Sequence, residues 1–413
     1  MRSERQLRSR HLIVAVVVAM LAGTAFRLWL AGTGAGRVSE AIPEARAAGA
    51  DTAASPAVST GAGLPQYFTV GERLRPDEMR VTVVGSGMPD VRRGQVSGSM
   101  LVELGNGEVL LFDVGTGSVM NLNSLRAEGK VTKVFLSHLH TDHAGDLDAL
   151  WVSAISQREE VLTVYGPSSL TPEYGTGAFV ENFQRLWYWD RQSRTGILST
   201  TGMAIEAREF DYSKVQVVYE RNGVKVTSFP AIHAIDGPVS YRLDWNGLSF
   251  VFSGDTIPNK WLIEQARGVD LLIHESFPSP EVYSAKSGYP LRVARNIAAG
   301  VHTTPAGLGK ILAMTRPRMA GVYHLLNNFD VVQATLEEIR RSYDGALVIT
   351  EDLMVFNVDR ERITVREALV GDKVIGERKR SIADKVSAGD RIPMSQWLKD
   401  GEMKFEGIDT TVR

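Results

Sequence analysis

Short apolar runs punctuated by Gly, Asp and Pro set in at Gln66 and continue to about Glu367. MRVTVVGSG (79–87), SMLVEL (99–104), EVLLFDVG (108–115), KVFLSH (133–138), VKVTSFP (224–230), VSYRLDW (239–245) and LSFVFSGD (248–255) read as strands. DLLIHES (270–276), MAGVYH (319–324), ALVIT (346–350) and MVFNV (354–358) extend the series. Helical periodicity falls between them, at about 144–158, 177–193, 259–267, 305–315 and 331–343. Strands come both in hairpin-like clusters and in alternation with helices. That arrangement predicts an α/β fold of two mixed sheets sandwiched between helices.

The ends of the chain follow a different pattern. An Arg-rich stretch precedes the apolar run Leu12 to Phe26, which breaks at Arg27 and resumes at Leu28-Trp29-Leu30. Residues 1–30 thus read as a signal peptide or an uncleaved signal anchor, the run being short for a bilayer core of about 30 Å. The positive flank should stay cytoplasmic, which places the body outside, periplasmic or anchored to the inner membrane facing outward. Residues 31–65 are rich in Ala, Gly, Ser and Thr and read as a flexible linker. The folded domain is expected at 66–367, and 368–413 is a charged, weakly patterned C-terminal extension.

Composition narrows the chemistry. A chain of 413 residues with 44% hydrophobic residues is globular, not disordered or fibrous. It has no cysteine, which excludes disulfides, thiolate nucleophiles, iron–sulfur clusters and Cys-type zinc sites. Any metal site must be built from His and carboxylate. The net charge of −2 conceals six Arg and one acid in residues 1–37; the remaining 40 basic and 47 acidic residues leave a body of about −7. An acidic body argues against a nucleic-acid partner.

The histidines are concentrated where strands are predicted to end. Ser137-His138-Leu139-His140-Thr141-Asp142-His143 comes straight off KVFL. At an extended strand end, residues two apart share a face, so His138 and His140 can serve one ion; the turn into a helix then aims Asp142 and His143 at a second. A lone histidine is most often a satisfied core or surface residue. A His-x-His-x-Asp-His cluster after an apolar strand is different, because that many unpartnered polar groups are costly to pack.

This motif resembles the hallmark loop of the metallo-β-lactamase superfamily, which implies an αββα sandwich and further ligands on later strands. Pro230-Ala231-Ile232-His233, Ser253-Gly254-Asp255-Thr256 and Val322-Tyr323-His324 supply them in family order. The resemblance implies one ion on His138, His140 and His233, a second on Asp142, His143 and His324, and Asp255 bridging. Gly85-Ser86-Gly87-Met88-Pro89 with Arg92 or Arg93, Phe112-Asp113-Val114-Gly115-Thr116-Gly117, His274-Glu275-Ser276 and His302-Thr303-Thr304 are similar to the ribonuclease Z and arylsulfatase-like branch. That likeness covers about residues 78–358 and implies a proton-donating pair, Glu275 and His302, although Ser276 stands where Ala is usual. Pro238-Val239-Ser240-Tyr241, Pro258-Asn259-Lys260-Trp261 and Tyr323 to Asp330 are similar to metallo-hydrolases of guanitoxin-type biosynthetic clusters.

The expected enzyme is a dinuclear metal-dependent hydrolase in which a metal-bridging hydroxide attacks a phosphate or sulfate ester. Asp142 would orient the attacking water, and His302, steered by Glu275, would protonate the leaving oxygen. Nitrogen and oxygen ligation suits two Zn2+, with Fe or Mn fitting the same ligand types. The alternatives are a lactone or amide hydrolase, a tRNA 3′-processing phosphodiesterase, and a metal-binding module without catalysis. The expected partner is a small-molecule ester-type substrate, with membrane contact through the N-terminal segment if uncleaved; the oligomeric state is open, a homodimer included. Val161 to Tyr212 carries Phe179, Phe183, Leu186, Trp187, Tyr188 and Trp189 and reads as a core helix or as a cap over an apolar pocket. Asp113 reads either as an acceptor orienting a ligand imidazole or as a turn residue capping the next helix. His274 reads as a packing residue or as one that backs a ligand, not as a ligand itself, and His11 as incidental.

Overall fold

A buried sheet with both faces covered needs apolar side chains at successive positions, and the continuous runs of the sequence meet that requirement. The computed structural model describes residues 66–371, 391–403 and 407. The expected leader and linker at 1–65, with His11, lie outside the described residues, as does much of 368–413. Among the described residues no helix is long and apolar enough to cross a membrane.

A nine-stranded sheet runs in the order β1 (Tyr67–Thr69), β16 (Ile363–Leu369), β15 (Met354–Val358), β2 (Met79–Gly85), β3 (Ser99–Leu104), β4 (Val109–Phe112), β5 (Lys133–Phe135), β6 (Leu162–Pro167) and β7 (Ile205–Phe210). A seven-stranded sheet runs β14 (Leu347–Ile349), β13 (Met319–Tyr323), β12 (Leu271–Glu275), β11 (Leu248–Phe252), β10 (Val239–Trp245), β9 (Val224–Pro230) and β8 (Gln216–Arg221). Both are mixed. β4 to β7 and β11 to β14 pair in parallel, and hairpin-type antiparallel pairing joins β2 to β4 and β8 to β11.

The alternation of side chains places three buried layers. Met79, Val81, Met100, Val102 and Phe112 of one sheet meet Val226, Leu243, Phe250, Phe252 and Ile273 of the other. Their strand neighbours face outward: Leu101, Leu111 and Val134 pack under Leu147, Leu150 and Trp151, and Val251 and Leu272 under Leu262, Leu308 and Leu312. Each such side chain contributes roughly 1.5–3 kcal/mol by leaving water. The result is the αββα sandwich expected.

Two expectations are modified. Residues 161–212 carry β6 and β7, and the helix Thr176–Leu186 buries Val180 and Phe183 against the covering layer. The apolar stripe then ends, and a second helix, Tyr188–Arg194, leaves Tyr188 and Trp189 exposed. The segment is therefore part of the sheet and its cover, with the aromatic residues divided between core and surface. At the other end, β16 runs past Glu367 to Leu369, so the strand crosses the expected domain boundary.

Candidate metal centre

The chemistry-bearing side chains sit at or just beyond the C-terminal ends of strands from both sheets. β4 is followed by Asp113, β5 by Ser137 and His138, β9 by His233 and β11 by Asp255; β12 ends on Glu275 and β13 is followed by His324. Three turns make this possible. Asp113, Gly254 and His324 all adopt left-handed backbone, with φ of 57°, 57° and 63°. At Gly254 a side chain would also collide with Ser137, its Cβ falling 2.6 Å from that residue's Cβ.

Six of the expected ligands and the shared carboxylate assemble into two groups. His138, His140, His233 and Asp255 form one, and Asp142, His143, Asp255 and His324 the other. In the first, His140 Nδ1 lies 3.0 Å from His138 Nε2 and 3.3 Å from His233 Nε2. In the second, His324 Nε2 lies 3.1 Å from Asp142 Oδ2, and His143 Nε2 3.3 Å from Asp255 Oδ1. Asp255 Oδ2 is 3.8 Å from both His138 and His233 Nε2 and 3.3 Å from His324 Nε2, so one carboxylate faces both groups.

Partners behind the ligands fix which ring nitrogens face inward. His143 Nδ1 donates to Asp113 Oδ2 at 2.7 Å, and Asp113 also accepts from Ser137 N at 2.6 Å and Ser137 Oγ at 2.7 Å. Of the two readings of Asp113, the structure supports the acceptor that orients an imidazole, not the helix cap. His233 Nδ1 donates to Val301 O at 2.7 Å, which turns its Nε2 toward the first group. Such backing is what metal-binding imidazoles require.

His302 Nδ1 lies 3.1 Å from Glu275 Oε1 and 3.7 Å from Asp255 Oδ2, beside the second group. Glu275 Oε1 is held by the backbone N–H of Thr256 at 2.9 Å. The His302 ring stacks on Phe277, centroids 4.4 Å apart. His274 is fully buried with Nδ1 against the Glu275 carbonyl at 2.6 Å and joins none of the ligand groups. Ser137, Thr256 and Phe277 were not singled out from the sequence, because nothing in their type or spacing marks them.

The electrostatics call for cations. Asp113, Asp142, Asp255 and Glu275 are all buried, and among the described residues no lysine or arginine pairs with them. Burial pushes the Asp113 and Glu275 carboxyls up. For Asp142 and Asp255 burial acts in the same sense but is outweighed by His143 and His324, which hold both carboxyls down. Burial lowers His138, while burial of His143 is overcome by Asp255, Asp142 and Asp113, which raise it. His233 is pushed down to about 4, chiefly by burial. Among the described residues the buried atoms His143 Nε2 and Asp255 Oδ1 have no hydrogen-bond partner. Uncompensated buried charge and orphaned polar atoms of this kind are costly, and an oxygen and nitrogen set aimed at common points fits divalent metal ions.

Comparison with known proteins agrees. The family model of the anti-Pycsar protein Apyc1 matches residues 79–281. Ribonuclease Z of Mycobacterium avium (strain 104) is 30% identical over 204 residues, 48% of this chain and 69% of that one. Ribonuclease Z of Mycolicibacterium gilvum (strain PYR-GCK) is 31% identical over 206 residues, 48% of this chain and 68% of that one. The chain belongs to the ribonuclease Z-like branch of the metallo-β-lactamase superfamily. It is a metal-dependent hydrolase. The metallo-β-lactamase fold protein YhfI from Bacillus subtilis shares the fold, with a TM-score of 0.51 at 20% identity over 68% of this chain and 100% of that one.

Proposed function

We propose that this hydrolase is dinuclear and cleaves phosphoester bonds, phosphodiesters first among them. The observation that carries the reading is Asp255, one buried carboxylate facing two groups of ligand atoms. The relatives named ribonuclease Z support the phosphodiester class and bring RNA back among the substrates to be tested, against the expectation drawn from an acidic body.

His138, His140 and His233 would hold one ion, and Asp142, His143 and His324 the other, with Asp255 between them. When bound, the pair supplies an activated water and polarises the scissile oxygen. Zinc suits these donors, and iron or manganese would fit them too. Asp142 contributes a carboxylate oxygen beside His324 that can orient the attacking water. Glu275 fixes His302 through Nδ1, which leaves Nε2 to deliver a proton to the departing oxygen. Glu275 and Asp255 raise the affinity of His302 for that proton against the effect of burial.

The test is metal content per chain after loading with zinc, iron or manganese, together with parallel assays on RNA, small phosphodiesters, phosphomonoesters, sulfate esters and lactones. Two ions per chain and fastest turnover of a phosphodiester are expected. One ion per chain overturns the dinuclear reading, and turnover of lactones alone overturns the substrate class. We propose export on the pattern of residues 1–30; a reporter fused after Gln66 that is active only in the cytoplasm refutes it.

A further inference from the structure

The second ligand group depends on His324, a residue in an unfavourable backbone region. A non-glycine residue at φ 63° is strained and persists only where its surroundings over-determine it. Two contacts hold its backbone. The His324 N–H donates to Ser86 O at 2.8 Å, and Gln95 Nε2 donates to the carbonyl of the next residue, Leu325, at 2.8 Å. Ser86 is in turn held by Asp352, with Gln95 Nε2 also donating to its Oγ at 3.4 Å. Asp352 Oδ1 accepts from Ser86 N at 2.9 Å and from Ser86 Oγ at 2.8 Å.

Asp352 is well placed to act as a clamp. It lies in the segment that leaves β14 in one sheet and enters β15 in the other. Its second oxygen accepts from Val96 N at 2.8 Å and Asn121 Nδ2 at 3.2 Å, tying the loop before β3 and the helix Ser118–Ser124 to the same point. On either side, Thr350 N donates to Val322 O at 2.8 Å and Leu353 N to Val83 O at 2.7 Å. The crossing segment therefore joins the end of β13, which delivers His324, to the end of β2, which delivers Ser86.

We infer that Asp352 is a positioning residue for His324, setting ion affinity at the Asp142, His143 and His324 group through Ser86 and leaving the His138, His140 and His233 group untouched. The inference rests on the dinuclear reading. Asp352→Asn preserves shape but can accept on one side only: its N–H₂ must face either Ser86 or the Val96 and Asn121 donors, so the clamp opens on one side and His324 is held less firmly in its left-handed turn. Outer partners of metal ligands typically change affinity by about 10- to 100-fold, and an indirect one belongs at about tenfold.

The experiment is competition of the loaded full-length protein with a chelator, reading the two ion affinities separately, alongside thermal melting of the metal-free protein. Asp352→Asn should weaken one ion about tenfold and leave the other within error. Ser86→Ala keeps the backbone bond to Asp352 and should weaken the same ion about fivefold, the worth of one hydrogen bond, which provides the test if Asp352→Asn does not fold. Arg158→Met, remote from the site, serves as the control for destabilisation alone and should leave the affinity ratio unchanged. Wild type with two ions and either Asp352→Asn or Ser86→Ala with an unaltered ratio overturns the inference alone. Wild type with a single ion instead overturns the dinuclear reading.

Discussion

Replacing Asp113 with Asn changes one atom and reverses the hydrogen bonding of the centre. Asp113 is fully buried and accepts three bonds, from Ser137 N, Ser137 Oγ and His143 Nδ1. Asn tolerates the left-handed backbone found here, and its carbonyl can keep the Ser137 N–H. Its amide nitrogen, however, can only donate toward His143 Nδ1. The imidazole must then accept at Nδ1 and carry its proton at Nε2, the atom that faces Asp142 and Asp255. A protonated Nε2 cannot ligate, so affinity at the second group should fall by about 10- to 100-fold, or about 1.4–2.7 kcal/mol. Stability without metal should fall by about 1–2 kcal/mol, the worth of one or two buried bonds rearranged. Metal analysis after dialysis at graded free zinc reads the first quantity and denaturant unfolding of the metal-free protein the second. Wild-type affinity for both ions in Asp113→Asn would refute the argument, because it would mean the ring is oriented by something other than Asp113.

The remaining predictions address the acid, the cover and the rim. His302→Gln should slow phosphodiesters with poor leaving groups by about 100-fold and barely affect a nitrophenyl ester, which needs no protonation; equal loss on both would remove the acid role. Arg158, buried and among the described residues without a carboxylate partner, donates to the carbonyls of Val131, Trp151, Gly202 and Leu150, so Arg158→Met should cost about 3 kcal/mol in unfolding while metal content is unchanged. Glu72 is held below the usual carboxylate range by its hydrogen bonds to Arg366. A lowered folded value means stability that is complete above the unfolded value, near 4.3, and lost as pH falls through the folded one. Melting temperature should therefore drop more for wild type than for Glu72→Gln between pH 5 and pH 3, and parallel curves would contradict this.

The strands legible in the sequence are the apolar-rich ones, the half-buried edge strand β14 (ALVIT, 346–350) among them. β2, β3, β9, β10 and β15 are apolar-rich runs ended by Gly, Pro, Asn or Asp, and the helix Pro305–Thr315 announces itself with Thr304 accepting from Gly307 N. β1, β6, β7, β8 and β16 escape that reading, three of them at sheet edges. β7 reads IEAREF and β8 QVVYER, half-exposed strands whose charged positions dilute the alternation, and the helices Pro280–Ser287 and Leu291–Ala298 bury only Tyr283, Ala294 and Ala298. In the centre, the residues that converge on the two groups are recognisable by type and by position after a strand. The residues that aim them are Ser, Thr, Phe and one distant Asp, and their part is set by partners brought together only by the fold, in the case of Ser86 and Asp352 from 266 positions apart.

The geometry of the centre follows from how strands end. A strand that simply continues sends alternate side chains into the sandwich or under the helices, and none into the space beyond the sheet edge. Asp113 after β4, Gly254 after β11 and His324 after β13 each break that alternation by turning left-handed. For glycine the turn is free; for Asp113 and His324 it carries a cost, and in both cases the compensation is a short hydrogen bond to a segment from another strand end, Ser137 for the first and Ser86 for the second. Strain and ligand placement are thus set by the same contacts. A substitution that relieves one should loosen the other, which is why the partners of these turns, and not only the ligands themselves, should govern how tightly the centre holds its ions.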